Sequence, residues 1–275
     1  MNNRVRKFSF WGFTGLMSLQ FVLLLLTIRT VFPTVWESQL QARALSIILV
    51  FIGMHFWNCF AEWALHRYLL HAAPFAWLRS LAVKHRHHHS LTAVRLQRHA
   101  ESNDHTIVNR YPIESQEQLE NAIFPRWALI AVWAVYTPFL IGLHIWSPTT
   151  PFLFGGYAAV AWSLTCYEIF HHIEHFPFEW WERRIAGPFG NVWKKVYGFH
   201  LMHHANIGCN EAISGFFGLP IADWSLGTYQ QPKKIFLNGD IATARDFALP
   251  PPRRFVRRLD QLVKRREVQL QKDAQ

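Results

Sequence analysis

Long uncharged stretches alternate with shorter polar, basic ones along this chain, and the alternation predicts its elements. Residues 8–28 carry no charge and include Phe21-Val-Leu-Leu-Leu-Leu26. A helix of that length crosses the ~30 Å hydrocarbon core of a bilayer. A cleavable signal peptide fits less well, because the apolar run is too long and no small-residue cleavage site follows. A connection with Pro33 and Glu37 leads to a second uncharged run, 44–61. Residues 127–167 form a third, twice the length of one span and broken by Ser147-Pro-Thr-Thr-Pro151, a strong turn signal. Two spans, 127–146 and 152–167, fit it. The fold class expected is all-α and integral to the membrane, with four transmembrane helices in two hairpins.

Between and after the runs lie the polar parts. Residues 90–126 are rich in Glu, Gln, Asn and Arg and predict short helices or loops, with one exposed helix over 114–121. Residues 176–199 mix Trp180, Trp181, Trp193 and Tyr197 with Arg and Lys, and Gly187-Pro188 breaks them. This predicts a helix pair, either at the headgroup level or as the aromatic core of a soluble cap. Residues 253–275 hold eight basic and three acidic residues. Phe255, Leu259, Leu262 or Val263, and Leu270 fall near helical spacing, for a helix that is solvated or lies on anionic lipid.

Charge sets the orientation. The net charge is +10, and with a cytoplasmic N-terminus only Arg29 and Arg43 of the 28 basic residues fall outside. Both termini and a cap built from 62–126 and 168–230 are then cytoplasmic. Residues 1–230 read as one domain and 231–275 as a basic extension. The basic residues adjoin membrane spans, so they argue against a nucleic-acid partner. Hydrophobic residues make up 51% and charged residues only 17%, which agrees with a membrane protein. Cys59, Cys166 and Cys209 are too scattered for a disulfide framework, a zinc ribbon or an iron–sulfur site.

Histidine adds the chemistry. Twelve of the 16 histidines fall in two windows, 66–89 and 171–204, each directly after an uncharged run. Neutral imidazole binds iron and zinc well, and gathered imidazoles repel when protonated, so a metal is the natural reason to collect them. His85, His88 and His89 stand at i, i+3, i+4, within about 100° of helix azimuth. His200, His203 and His204 repeat that spacing, which should arise by chance only about 0.05 times in such a chain. His171 and His175 are one turn apart. His66 and His71 would diverge by about 140° on a straight helix and need a helix end or a second face. His87 and His172 interleave with these and read as second-layer hydrogen-bond partners or as exposed side chains. His55 and His144, inside spans, read first as hydrogen-bonding to a neighbouring helix. His99 and His105 read as solvent-facing.

These blocks resemble the fatty acid hydroxylase/sterol desaturase superfamily of membrane di-iron oxygenases. Glu62-Trp-Ala-Leu-His66-Arg-Tyr-Leu-Leu-His71 is similar to its first histidine box and His85-Arg-His87-His88-His89 to its second. Tyr167-Glu168-Ile-Phe-His171-His172-Ile-Glu-His175 is similar to the third, and His200-Leu-Met-His203-His204 to the fourth. Asn210, Ile213-Ser214 and Asp223-Trp-Ser-Leu-Gly227-Thr228 resemble the stretch that follows. The resemblance covers roughly 44–230. It departs at Glu168, where Asp is expected, at Phe176, where some members have another His, and at 90–126, which has no counterpart.

The resemblance implies ten ligands: His66, His71, His85, His88, His89, His171, His175, His200, His203 and His204. Glu168, Asn210 and Asp223 are expected in a second layer. Two iron ions, with zinc able to substitute, would use O2 to hydroxylate a lipid chain. The chain has no flavin, haem or iron–sulfur signature, so electrons would come from a separate ferredoxin or b-type cytochrome. Desaturation would need the same metals. A histidine-rich metal transporter and a non-catalytic zinc-bound lipid-binding protein are the readings from other classes; a transporter should carry more ionisable groups at mid-membrane.

Overall fold

Helix α7 (Phe152–Glu174) packs against α1 (Phe10–Val31), α3 (Ala44–Leu65) and α6 (Ala128–Trp146). The computed structural model describes residues 8–76, 79–98 and 105–273. Three helical segments are long and apolar enough to cross a membrane: Phe10–Val31, Ala44–Leu70 and Ala128–Trp146. Their outer faces expose Leu19, Leu23 and Leu26, then Ile48, Leu49 and Phe56, then Val135 and Ile145. Water would disfavour such faces and lipid would not. Helix α7, which covers the fourth expected span, is not among these three, and it packs between the others. Most of its faces meet other helices, and small residues suit such close packing. A Cβ on Gly155 would lie 2.7 Å from Val50 Cγ1 on α3, and one on Gly156 would strike Leu140 on α6.

The connection at 33–43 is itself helical. In α2 (Pro33–Leu40) proline occupies the first turn, where its missing N–H costs nothing. The buried Gln39 Oε1 accepts from Leu153 N (3.1 Å) and caps the start of α7. Both α3 and α7 run past their expected ends. A π-helical turn, His66–Leu70, continues α3, and α7 extends to Glu174.

The cap corrects the all-α expectation. Residues 90–126 do not fold into helices and loops alone: β1 (Val94–Arg98) and β2 (His105–Asn109) form an antiparallel hairpin, Leu96 opposite Ile107. Val94 and Ile107 are buried, and Ile107 N donates to Asp240 O (2.8 Å). The strand is thus completed by a segment more than a hundred residues away, which local pattern does not reveal. The helix expected over 114–121 is α5 (Gln116–Ala122), with a Ser115–Gln118 capping box and Gln118, Leu119 and Ala122 buried, so only its outer side is exposed.

Beyond α7, α8 (Phe178–Ile185) and α9 (Gly190–Ala205) are separated by a tight turn in which Phe189 has φ 62°. Any side chain at Gly190 would strike Ile185 O. Trp181 and Tyr197 are buried with Tyr111 and Phe236, so these aromatics form the core of the cap. After α10 (Ile221–Leu226), the basic tail forms α11 (Arg254–Lys272), seated by Val256 against Cys59, Trp63 and Ala222.

Candidate metal centre

Four helix segments aim histidines at one place. α4 (Arg79–Leu91) carries His85, His88 and His89; α9 carries His200, His203 and His204. The end of α7 supplies His171 and, at its C-cap, His175. The π turn supplies His66 and, just after it, His71. There His71 N bonds back to His66 O at 3.1 Å, five residues away. That wider ring undoes the divergence of a straight helix, and the two imidazoles stack with centroids 4.9 Å apart.

The ten histidines divide into two groups of five, His66, His71, His85, His89 and His203, and His88, His171, His175, His200 and His204. Within each group the candidate ligand atoms all lie within 4.8 Å of one another. The division crosses the sequence blocks. On α4 the i, i+4 pair His85 and His89 joins one group while His88 joins the other. On α9 His200 and His204 stay together while His203 crosses back. Each His-x-x-His-His motif therefore serves both groups.

Hydrogen bonds fix which nitrogen faces inward. Nδ1 of His66 donates to Glu211 O (2.7 Å), that of His175 to Tyr111 O (2.6 Å), and that of His203 to Cys209 O (2.6 Å). His204 Nδ1 approaches Thr92 O (3.2 Å) and Thr92 Oγ1 (3.0 Å), whose own hydrogen goes to His88 O. A carbonyl only accepts, so these rings hold their proton on Nδ1 and a lone pair on Nε2. The Nε2 atoms nevertheless crowd together. His85 Nε2 lies 3.0 Å from that of His66 and 3.1 Å from that of His89. His200 Nε2 lies 3.2 Å from that of His175 and 3.0 Å from that of His204. One hydrogen on His200 can satisfy only one of its two neighbours, so lone pairs face each other. His88 is fully buried with neither nitrogen hydrogen-bonded among the described residues.

A cation resolves both problems. Two nitrogens at right angles about a metal ~2.1 Å away lie about 3.0 Å apart, the spacing observed. Charge state agrees. Burial first, then neighbouring imidazoles, hold His71, His85, His88, His89, His200 and His204 well below the usual histidine range. Burial brings His175 down to about 3, against the hydrogen bond to Tyr111. All are neutral at pH 7, the form of imidazole that can bind a metal.

A further layer braces this one. Asp223 accepts from Glu211 N (2.9 Å), Ala212 N (2.9 Å) and Thr228 Oγ1 (2.6 Å). Asn210, at φ 57°, donates to Phe199 O and Gln230 O, both at 2.7 Å. Both hold the loop that presents the carbonyls of Cys209 and Glu211. Glu168 is buried and accepts from Phe124 N (2.8 Å), tying α7 to the end of the insertion. His87 is exposed, 3.4 Å from Glu117, and His172 packs on Phe8, Phe10 and Phe176. Neither hydrogen-bonds a ligand ring. His55 bonds Ser163 (2.9 Å) and His144 lies 3.5 Å from Gln39, both on neighbouring helices. His105 is half-buried in β2, and His99 lies outside the described residues.

Sequence reasoning missed two carboxylates. Glu211 Oε2 lies 3.9 Å from His66 Nδ1 and 4.0 Å from His203 Nδ1; Glu174 Oε2 lies 3.9 Å from His200 Nδ1. Each group of five thus has its own buried acid. Burial raises the Glu211 carboxyl, against the pull of Arg67, which donates to it at 2.9 Å. Arg67 also grips Asp260 of α11 with two bonds, 2.9 and 2.8 Å. An acid between two histidines (Glu174) was a usable signal; Glu211 had none.

Beside the first group a cavity of about 170 Å³ descends between α3, α6 and α7. Leu65, Leu70, Val132, Val160 and Leu164 line it, with His66 and Tyr167 at the metal end. No family model matches this chain, and no match was found among curated proteins or solved structures.

Proposed function

We propose that this protein is a membrane-bound di-iron oxygenase that hydroxylates a lipid chain. The observation behind this reading is the pairing of two five-histidine groups with an apolar cavity that reaches His66 from among the long apolar helices. The ten imidazoles would hold two metal ions, and iron there would supply O2 activation; zinc would occupy the same nitrogens without that chemistry. The chain's own residues do the rest. The carbonyls of Glu211, Tyr111, Cys209 and Thr92 keep Nδ1 protonated and Nε2 free for metal. Glu174 and Glu211 stand where they can take up positive charge from the ligand rings. Leu65, Val160 and Leu164 orient an acyl-type chain and exclude water.

Four spans in two hairpins, with α7 as the inner one, would put both termini and the metal groups in the cytoplasm by the positive-inside rule. Electrons would come from a ferredoxin or b-type cytochrome docking on the basic face. Desaturation would use the same residues.

Lipid profiling of host cells with and without the protein tests the reading, alongside metal analysis. We expect one lipid class to gain about 16 mass units with the intact protein and with His87→Ala, and not with His88→Ala. An unchanged product from His88→Ala would overturn it.

A further inference from the structure

We propose that the inner end of the cavity recognises the hydroxyl group of a neutral lipid alcohol, with Asn58 as the acceptor. This rests on the cavity being the substrate site of the proposed oxygenase. Helix α3 turns a row of polar side chains, His55, Asn58, Glu62 and His66, away from lipid. Polar groups at this depth mark functional sites by default. Most of the row is paired. Ser214 N and Oγ donate to the two oxygens of Glu62, at 2.7 and 2.8 Å. His55 Nε2 accepts from Phe217 N (3.1 Å), so its Nδ1 donates to Ser163 Oγ (2.9 Å). Asn58 Nδ2 donates to that same oxygen at 2.9 Å, and the Ser163 hydrogen goes to Ala159 O at 2.8 Å.

Ser163 is thereby saturated: two acceptor positions and one hydrogen are all used. Flipping the Asn58 amide gains nothing, because Ser163 has no second hydrogen to give. One atom remains, Asn58 Oδ1, buried, without a partner among the described residues, in a residue that lines the cavity. Across from it on α6, Tyr136 lines the same space and makes no hydrogen bond among the described residues. Leucine would fill the Asn58 position without leaving an unpaired carbonyl, so the oxygen calls for a donor.

The surroundings select the donor. Asn58, Ser163 and Tyr136 carry no charge, and no lysine or arginine lines the cavity to pair an anion. A carboxylate or phosphate headgroup is therefore excluded and a neutral hydroxyl fits. Asn58 precedes His66 by eight residues, about 12 Å of helix rise. The substrate class is a lipid alcohol whose hydroxyl lies about that far from the carbon presented to the metals.

The test is binding, separate from turnover. Detergent-solubilised full-length protein is equilibrated with 1-dodecanol, dodecane or dodecanoate, and bound lipid is counted by native mass spectrometry. We expect dodecanol to bind at least tenfold more tightly than the other two. In Asn58→Leu the preference over dodecane should vanish while metal content stays unchanged. Equal binding of dodecanol and dodecane by the wild-type protein, a comparison that needs no variant, overturns the proposal, as does a preference that survives in Asn58→Leu. Alcohol preference in a protein that never yields an oxidised lipid leaves the recognition site standing and removes the oxygenase. Oxidised lipid without alcohol preference does the reverse.

Discussion

Adjacent histidines on α4 meet opposite fates. His88 is enclosed by His171, His175 and His204, with ring centroids 5.0, 5.0 and 5.1 Å away, while His87 faces solvent. One residue rotates the side chain by about 100°, which decides it. The spacing of eight of the ten inner histidines was legible for that reason; His66 and His71, five apart, were expected only from the resemblance. The acids were not: Glu211 reaches His66 and His203 only because Asp223 folds its loop, a tertiary fact. Glu211 and Arg67 form a buried ion pair at 2.9 Å. Removing one charge of such a pair leaves the other stranded, which costs about 3 kcal/mol or more. Glu211→Gln should lower the thermal midpoint clearly more than Asp260→Asn, whose carboxylate is partly solvated. Equal shifts in differential scanning fluorimetry would contradict this account.

At the level of elements, the helices were readable wherever one residue type dominated a long run. Charge-free stretches gave α1, α3, α6 and α7 to within a few residues at their starts. The far ends of α3 and α7 were not readable, because hydropathy falls where each helix enters the histidine-rich region. The hairpin of β1 and β2 was also hidden, since each strand is only five residues long and Val94 and Leu96 are the only apolar positions in β1. Packing between elements makes its own prediction. Gly155 lets α7 approach α3 at Val50 and Ile47, and both helices lead into histidines of the two groups. Gly155→Val should push them apart, costing about 1–3 kcal/mol by overpacking, and lower the metal bound per chain. Gly53→Val, placed where nothing lies within 4 Å, should leave metal binding intact. Equal metal content in the two variants would refute the argument.

For the whole molecule, the buried imidazoles tie stability to pH. Their pKa values in the folded protein lie below the ordinary 6.5, for His175 near 3. Below pH 6.5 the unfolded chain therefore binds more protons than the folded one, and stability falls as pH drops. Stability is full above pH 6.5 and is lost progressively toward pH 3. Protons also compete with metal for the same nitrogens, so metal release should share this window. Circular dichroism and metal analysis across pH 8 to 4 check it; a midpoint of metal loss above pH 7 would contradict it.

The exchange of His88 and His203 between the two groups has a consequence for assembly. Seating an ion in one group would draw α4 and α9 together, and those same helices carry three of the five histidines of its neighbour. Loading should therefore be cooperative: a chain holding a single ion would already have met the ordering cost for the second, and half-filled molecules should be scarce.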